Sequence, residues 1–160
     1  MSGLANGTPF PTIELPAAGG GTLRLPDDLR GSWGVVLAYR GHWCPYCNAQ
    51  LSAFQRALPS LRDEGIRVAA LSVDTEEQTV GTVRRHNITF PVGYGADAHA
   101  VAAALQSYVH EDPPYLESSG FVIDPTGKVA VAVYSSYAIG RLMPDDVRGV
   151  VRYLAQQNAA

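Results

Sequence analysis

Five apolar residues, Val35-Val36-Leu37-Ala38-Tyr39, lead into Arg40-Gly41-His42-Trp43-Cys44-Pro45-Tyr46-Cys47, and a helical pattern begins at once. This junction constrains the fold more than any other stretch. An apolar run of strand length reads as a strand buried on both faces, as in open α/β sheets. Gly41 lets the chain turn. Pro45 suits the first position of a helix, where the missing N–H is not needed and φ is already set. That spacing makes Cys44 the N-cap and Cys47 the third helical residue. Apolar groups recur at Cys47, Leu51, Phe54, Leu58 and Leu61, which is one helical stripe. Cys47 therefore heads the inward face, while Cys44 sits at the helix tip. Pro59 is expected to kink or interrupt this helix and Gly65 to end it.

The flanking segments extend the same pattern. Ile13–Leu15 and Thr22–Leu25 alternate like two short strands around a Gly19-Gly20-Gly21 turn. Arg67 to Val73 is a second buried-strand pattern. Thr75 and Gln78 form a capping box for a helix reaching about Asn87, with acids in its first turn and bases in its last. Asp97 can cap a short alanine-rich helix to Leu105. Residues 106–119 read as a polar surface loop. Gly120–Asp124 and Val129–Tyr134 form a hairpin across Asp124-Pro125-Thr126-Gly127. Pro144 opens a last helix with Val147, Val150, Val151 and Leu154 on one face. Alternation of this kind implies one α/β domain over residues 1–160, with a mixed central sheet flanked by helices and preceded by a small N-terminal β-hairpin.

Composition narrows the chemistry. The chain has 12 basic and 15 acidic side chains and a formal net charge of −3, which argues against nucleic acid as the main partner. The first residues carry neither the basic nor the apolar part of a signal peptide, and no apolar run approaches membrane-spanning length. A cytoplasmic protein with no membrane partner is expected. In a reducing compartment, two cysteines spaced Cys-x-x-Cys point to catalysis or metal rather than a structural staple. A structural zinc site needs four ligands, and His86, His99 and His110 are scattered along the chain, so no metal and no cofactor are expected.

At the first turn of a helix, free N–H groups and the positive dipole end favour a thiolate, the nucleophilic form of cysteine. A second cysteine three residues on can resolve the mixed disulfide that the first forms. Arg40 and Trp43 are the neighbours placed to bind substrate or stabilise the thiolate.

The sequence resembles the alkyl hydroperoxide reductase/thiol-specific antioxidant family, the peroxiredoxins, within the thioredoxin-like superfamily. The likeness runs through Phe10 to Leu15, Tyr39 to Cys47, Leu71 to Asp74, Phe90-Pro91 and Gly120 to Gly127, and it implies a thioredoxin-like fold. The segment around the cysteines is most similar to a peroxiredoxin-like subgroup containing Arg-Gly-x-Trp-Cys-Pro-x-Cys. Two motifs overlap there. The family pattern Pro-x-x-x-Thr-x-x-Cys makes Cys47 the peroxide-attacking thiol, with Arg40 at the proline position and Cys44 at the threonine. The thioredoxin pattern Trp-Cys-x-x-Cys matches Trp43, Cys44 and Cys47 and makes Cys44 the attacker. Peroxiredoxins also carry an arginine three residues before the Phe of a Phe-x-x-Asp strand. Here Phe121 puts Ser118 at that position, and Arg40 is the candidate to replace it.

The resemblance implies a hydroperoxide-reducing antioxidant enzyme that cycles a Cys44/Cys47 pair. It also implies an external thiol reductant of thioredoxin or glutaredoxin type and, by analogy, a homodimer. The alternatives are a thiol–disulfide reductase acting through Cys44 on a disulfide substrate, and a non-catalytic redox sensor or binding module.

Overall fold

The computed structural model describes residues 3–159. Met1, Ser2 and Ala160, which the single-domain expectation also spans, lie outside the described residues. The apolar run forms strand β3 (Trp33–Ala38) at the centre of a five-stranded sheet. It pairs in parallel with β4 (Ile66–Leu71) and antiparallel with β8 (Ser119–Ile123). A short β5 (Val92–Gly93) extends the parallel side, and β9 (Val129–Tyr134) pairs with β8, giving the order β5-β4-β3-β8-β9. The sheet is therefore mixed. The predicted N-terminal hairpin is β1 (Ile13–Pro16) and β2 (Thr22–Leu25).

Alternation along β3 divides the core in two. Val35 and Leu37 join a cluster with helix α1 (Pro45–Asp63) and helix α4 (Pro144–Ala159), through Leu51, Phe54, Val147 and Val151. Val36 and Ala38 face the opposite cluster, with Leu23 and Leu25 of the hairpin and Leu105 of helix α3 (Ala98–Leu105). A strand covered on both faces has no use for polar alternation, which is why β3 reads as an unbroken apolar run. Glu64, just past α1, pairs with Arg148 and Arg152 and ties the end of that helix to α4. The stripe on α1 is the main load of its cluster. Phe54→Ala, at a position with 0% exposure, is expected to cost about 3–5 kcal/mol, read as a lower denaturant midpoint with an unchanged slope.

The caps form as the sequence predicts. Cys44 is the extended N-cap of α1 and Pro45 its first residue. Thr75 and Gln78 make a reciprocal capping box on α2 (Glu76–His86), and Asp97 caps α3 through the Ala100 N–H. Two expectations are corrected. Pro59 does not interrupt α1, which runs through it to Asp63. Pro59 lies on the exposed side, where water can hydrate the carbonyl that its ring leaves without a donor. Residues 106–119 are not simply a surface loop. They contain a small hairpin, β6 (Val109–His110) with β7 (Tyr115–Leu116), and they deliver Leu116, Glu117 and Ser118 into the interior. Polar residues in sequence read as surface, but here the polar groups face one another inside.

Candidate active site

The turn between β3 and α1 is held on three sides. The Cys44 N–H donates to the Gly41 carbonyl at 3.1 Å. The His42 N–H donates to Oδ2 of the buried Asp74 at 2.9 Å, and Asn48 Nδ2 donates to the His42 carbonyl at 3.0 Å. A Cβ at Gly41 would run into the indole Nε1 of Trp43, so glycine lets that ring sit over the turn. This packing presents both sulfurs as free thiols with 0% residue exposure.

The two sulfurs differ sharply in what surrounds them. Cys44 Sγ accepts from the Cys47 N–H at 3.3 Å, from Arg40 Nη1 at 3.7 Å and from Arg141 Nη2 at 3.6 Å. Cys47 Sγ accepts from the Arg40 backbone N–H at 3.3 Å. Burial raises the pKa of Cys44, but that is outweighed by the hydrogen bonds from the Cys47 thiol, the Cys47 N–H and Arg40 and by the charge of Arg141, so the group is held below its ordinary value. Cys47 goes the other way: burial first, then the hydrogen bond its S–H donates to Cys44, push it up to about 12. Of the two thiols Cys44 is therefore the more acidic, with Cys47 placed to donate a hydrogen bond to it.

Arg40 stands at the end of β3 with its guanidinium almost fully engaged. Nε donates to Glu117 at 2.7 Å, Nη2 to the Tyr115 hydroxyl at 3.3 Å and Nη1 to Cys44. Rings of Trp43, Tyr115 and Tyr137 lie 4.9, 5.5 and 5.1 Å from its Cζ. Trp43 is half exposed and makes its contacts to Arg40 and, edge-on, to Tyr115. Among the groups around the thiols, the one it packs against is Arg40. Tyr39, with its hydroxyl buried, is pushed up to about 12 by burial and stays neutral.

Sequence reasoning missed Arg141. It lies in the irregular segment between β9 and α4, and its Nη1 donates to Ser118 Oγ at 2.5 Å while Nη2 reaches the Ala138 carbonyl at 2.8 Å. The segment is pinned by Gln50 Nε2, which donates to the Leu142 carbonyl at 2.8 Å. Ser118, the departure from the family pattern, is thus the seat of a guanidinium supplied from elsewhere in the chain. The signal available was indirect: a small hydroxyl residue where the family has an arginine leaves room for one from outside. His99 and His110 lie away from the sulfurs, on Glu111 and Tyr115, while His86 reaches Asn48. Among the described residues no group of three or more His, Cys, Asp or Glu could hold a metal ion, and no helix is long and apolar enough to cross a membrane.

A buried thiol pair at the start of the helix that follows the central strand of a mixed sheet defines a thiol redox protein of thioredoxin-like architecture. Residues 6–132 match the AhpC/TSA family. The chain is 30% identical over 151 residues to a peroxiredoxin of Treponema denticola, covering 90% of this chain and 71% of that one. It is 29% identical to a peroxiredoxin of Methanothermobacter thermautotrophicus, covering 89% and 69%. Among solved structures, peroxidoxin BcpB of Mycobacterium tuberculosis superposes with a TM-score of 0.78 at 18% identity, covering 96% of this chain and 97% of that one. A PrxQ cysteine variant from Xylella fastidiosa gives 0.77 at 19% identity, covering 99% of each chain. The chain belongs to the AhpC/TSA family, and it is a thiol-dependent oxidoreductase of the peroxiredoxin type.

Proposed function

We propose that this protein reduces hydroperoxides with Cys44 as the attacking thiolate and Cys47 as the resolving thiol. The observation that carries the assignment is the asymmetry of donors. Two guanidinium groups and a backbone N–H face Cys44 Sγ, and one backbone N–H, that of Arg40, faces Cys47 Sγ. Both residues are closed to solvent, so a peroxide reaches Cys44 through a local opening of the structure around it.

The Cys44 thiolate attacks one peroxide oxygen. The O–O bond breaks, Cys44 becomes a sulfenic acid, and the other oxygen leaves as an alkoxide or hydroxide that takes a proton from solvent. Arg40 and Arg141 lose the thiolate charge and are placed to stabilise the leaving oxygen as its charge grows. Cys47 then loses the hydrogen bond its S–H gave to Cys44, the second cause after burial that holds it protonated, while Arg141 still favours its charged form. Its sulfur attacks Cys44, water leaves, and a Cys44–Cys47 disulfide forms. An external dithiol, of thioredoxin or glutaredoxin type, reduces that disulfide and restores both thiols, as a cytoplasmic location would allow.

The test is peroxide titration of the reduced protein followed by intact mass and thiol counting. One equivalent of hydroperoxide is expected to remove both thiols and yield the intramolecular disulfide, and an added dithiol should sustain turnover. The second reading, a disulfide reductase, is favoured by the same Cys44 thiolate in a Trp-Cys-x-x-Cys frame. Rapid insulin reduction by a protein whose thiols survive peroxide would establish it and remove the first.

A further inference from the structure

Glu117 has no part in the motifs or the steps described above, yet its carboxylate is buried beside the site. We infer that Glu117 is a positioning residue: it fixes the Arg40 guanidinium so that one N–H edge is aimed at the sulfur of Cys44. The inference rests on the reading of Cys44 as the thiolate.

The pair is tight, with Arg40 Nε 2.7 Å from Glu117 Oε1, and the two side chains are 7% and 6% exposed. Stability is a weak reason to keep such a pair, since taking two charges out of water offsets most of their attraction. Geometry gives a better one. A guanidinium is a rigid planar fork. With Nε on Glu117 and Nη2 on Tyr115, the plane is set and Nη1 has one direction left, which is toward Cys44. The rings of Trp43, Tyr115 and Tyr137 pack around the guanidinium, but a ring face does not select which N–H points where, and without an acceptor for Nε the fork keeps some freedom to turn. The carboxylate removes that freedom.

The redox cycle gives a second reason. Once Cys44 is in a disulfide its negative charge is gone, while Arg40 stays buried and charged. Glu117 keeps a counter-charge on Arg40 in that state, so the fork is in place when the thiolate returns. Both Tyr115 and Glu117 come from the segment 106–119, so its small hairpin acts as the mount for Arg40.

The measurement is the pH dependence of iodoacetamide alkylation at Cys44, with the modified cysteine identified by mass. The groups around that sulfur are Cys47 on α1, Arg40 at the end of β3 and Arg141 from the last loop. Glu117 and Tyr115 stand behind Arg40, and Asp74 holds the turn below. Glu117→Ala is expected to move the midpoint up by about one pH unit, a tenfold loss of thiolate below it. Glu117→Gln, which keeps an acceptor for Nε, should restore most of it. In an Arg40→Met background Glu117→Ala should have no further effect on the midpoint. Superimposable profiles for Glu117→Ala and wild type, or a shift that persists undiminished without Arg40, would overturn the inference. Should Glu117→Ala fail to fold, Glu117→Asp shortens the arm by one methylene and should shift the midpoint in the same direction; a wild-type profile there is equally fatal. If the wild type itself alkylates first at Cys47, the assignment of Cys44 fails, and that outcome is distinct from any result at Glu117.

Discussion

Cys44→Ser is expected to abolish peroxide consumption, with the rate of the first oxidation falling by roughly a hundredfold or more. The remaining thiol, Cys47, is kept protonated above all by burial, which serine at position 44 does not relieve. The variant removes only the part of the upward shift that Cys44 causes, so the thiolate of Cys47 stays a minor form at neutral pH. Cys47→Ser should behave differently. The serine hydroxyl can still donate to the Cys44 sulfur, both guanidinium groups remain, and Cys44 reacts once with peroxide. It then stalls as a sulfenic acid, because no resolving thiol follows. Single-turnover kinetics and dimedone trapping read the two variants directly: label at Cys44 in Cys47→Ser, and no fast phase in Cys44→Ser. The family motif aligned on Cys47 demands the opposite pattern. A fast first oxidation in Cys44→Ser, with dimedone on Cys47, would return the attack to Cys47 and reduce the donors around Cys44 to substrate contacts.

The fold was legible where one local signal had one meaning. An apolar run with no alternation marks a strand buried on both faces, Pro45 marks a helix start, and the four-three stripe fixes which side of α1 is buried. Together these place both sulfurs at the tip of a helix beside the central strand before any tertiary contact is known. Arg40 was legible for the same reason, because it adjoins the turn. Arg141 was not. It lies 97 residues from Cys44 in a segment with no period, and its position depends on Gln50 gripping the Leu142 carbonyl and on Ser118 accepting its Nη1. Glu117 was hidden by its own polarity, since a charged residue in a polar stretch reads as surface unless its partner is known. Pro59 shows the reverse error: a strong local rule loses where water can replace the missing donor. The two overlapping motifs share both cysteines, so they could not order them, and one of the two guanidinium groups on Cys44 comes from the distant Arg141.

Arg141→Met tests whether that distant arginine does the work of the family's missing one. Methionine retains much of the aliphatic bulk and removes the charge and the fork. The guanidinium favours the charged form of Cys44, so its loss raises the pKa of that group. At neutral pH the peroxide rate should fall about tenfold to a hundredfold. Raising the pH through the new midpoint recovers the part of the loss due to ionisation. The rest persists, because the leaving oxygen has also lost a donor. Arg141→Lys should fall between, keeping charge without the two-pronged geometry that spans Ser118 and Cys44. The decisive variant adds Ser118→Arg to Arg141→Met, which places a guanidinium where the resemblance expects it and empties the space that Arg141 occupied. Partial recovery of both midpoint and rate is expected. A wild-type pH–rate profile in Arg141→Met would mean that Arg40 and the helix N-terminus hold the thiolate without it, and Arg141 would then serve only to fasten the last loop to Ser118.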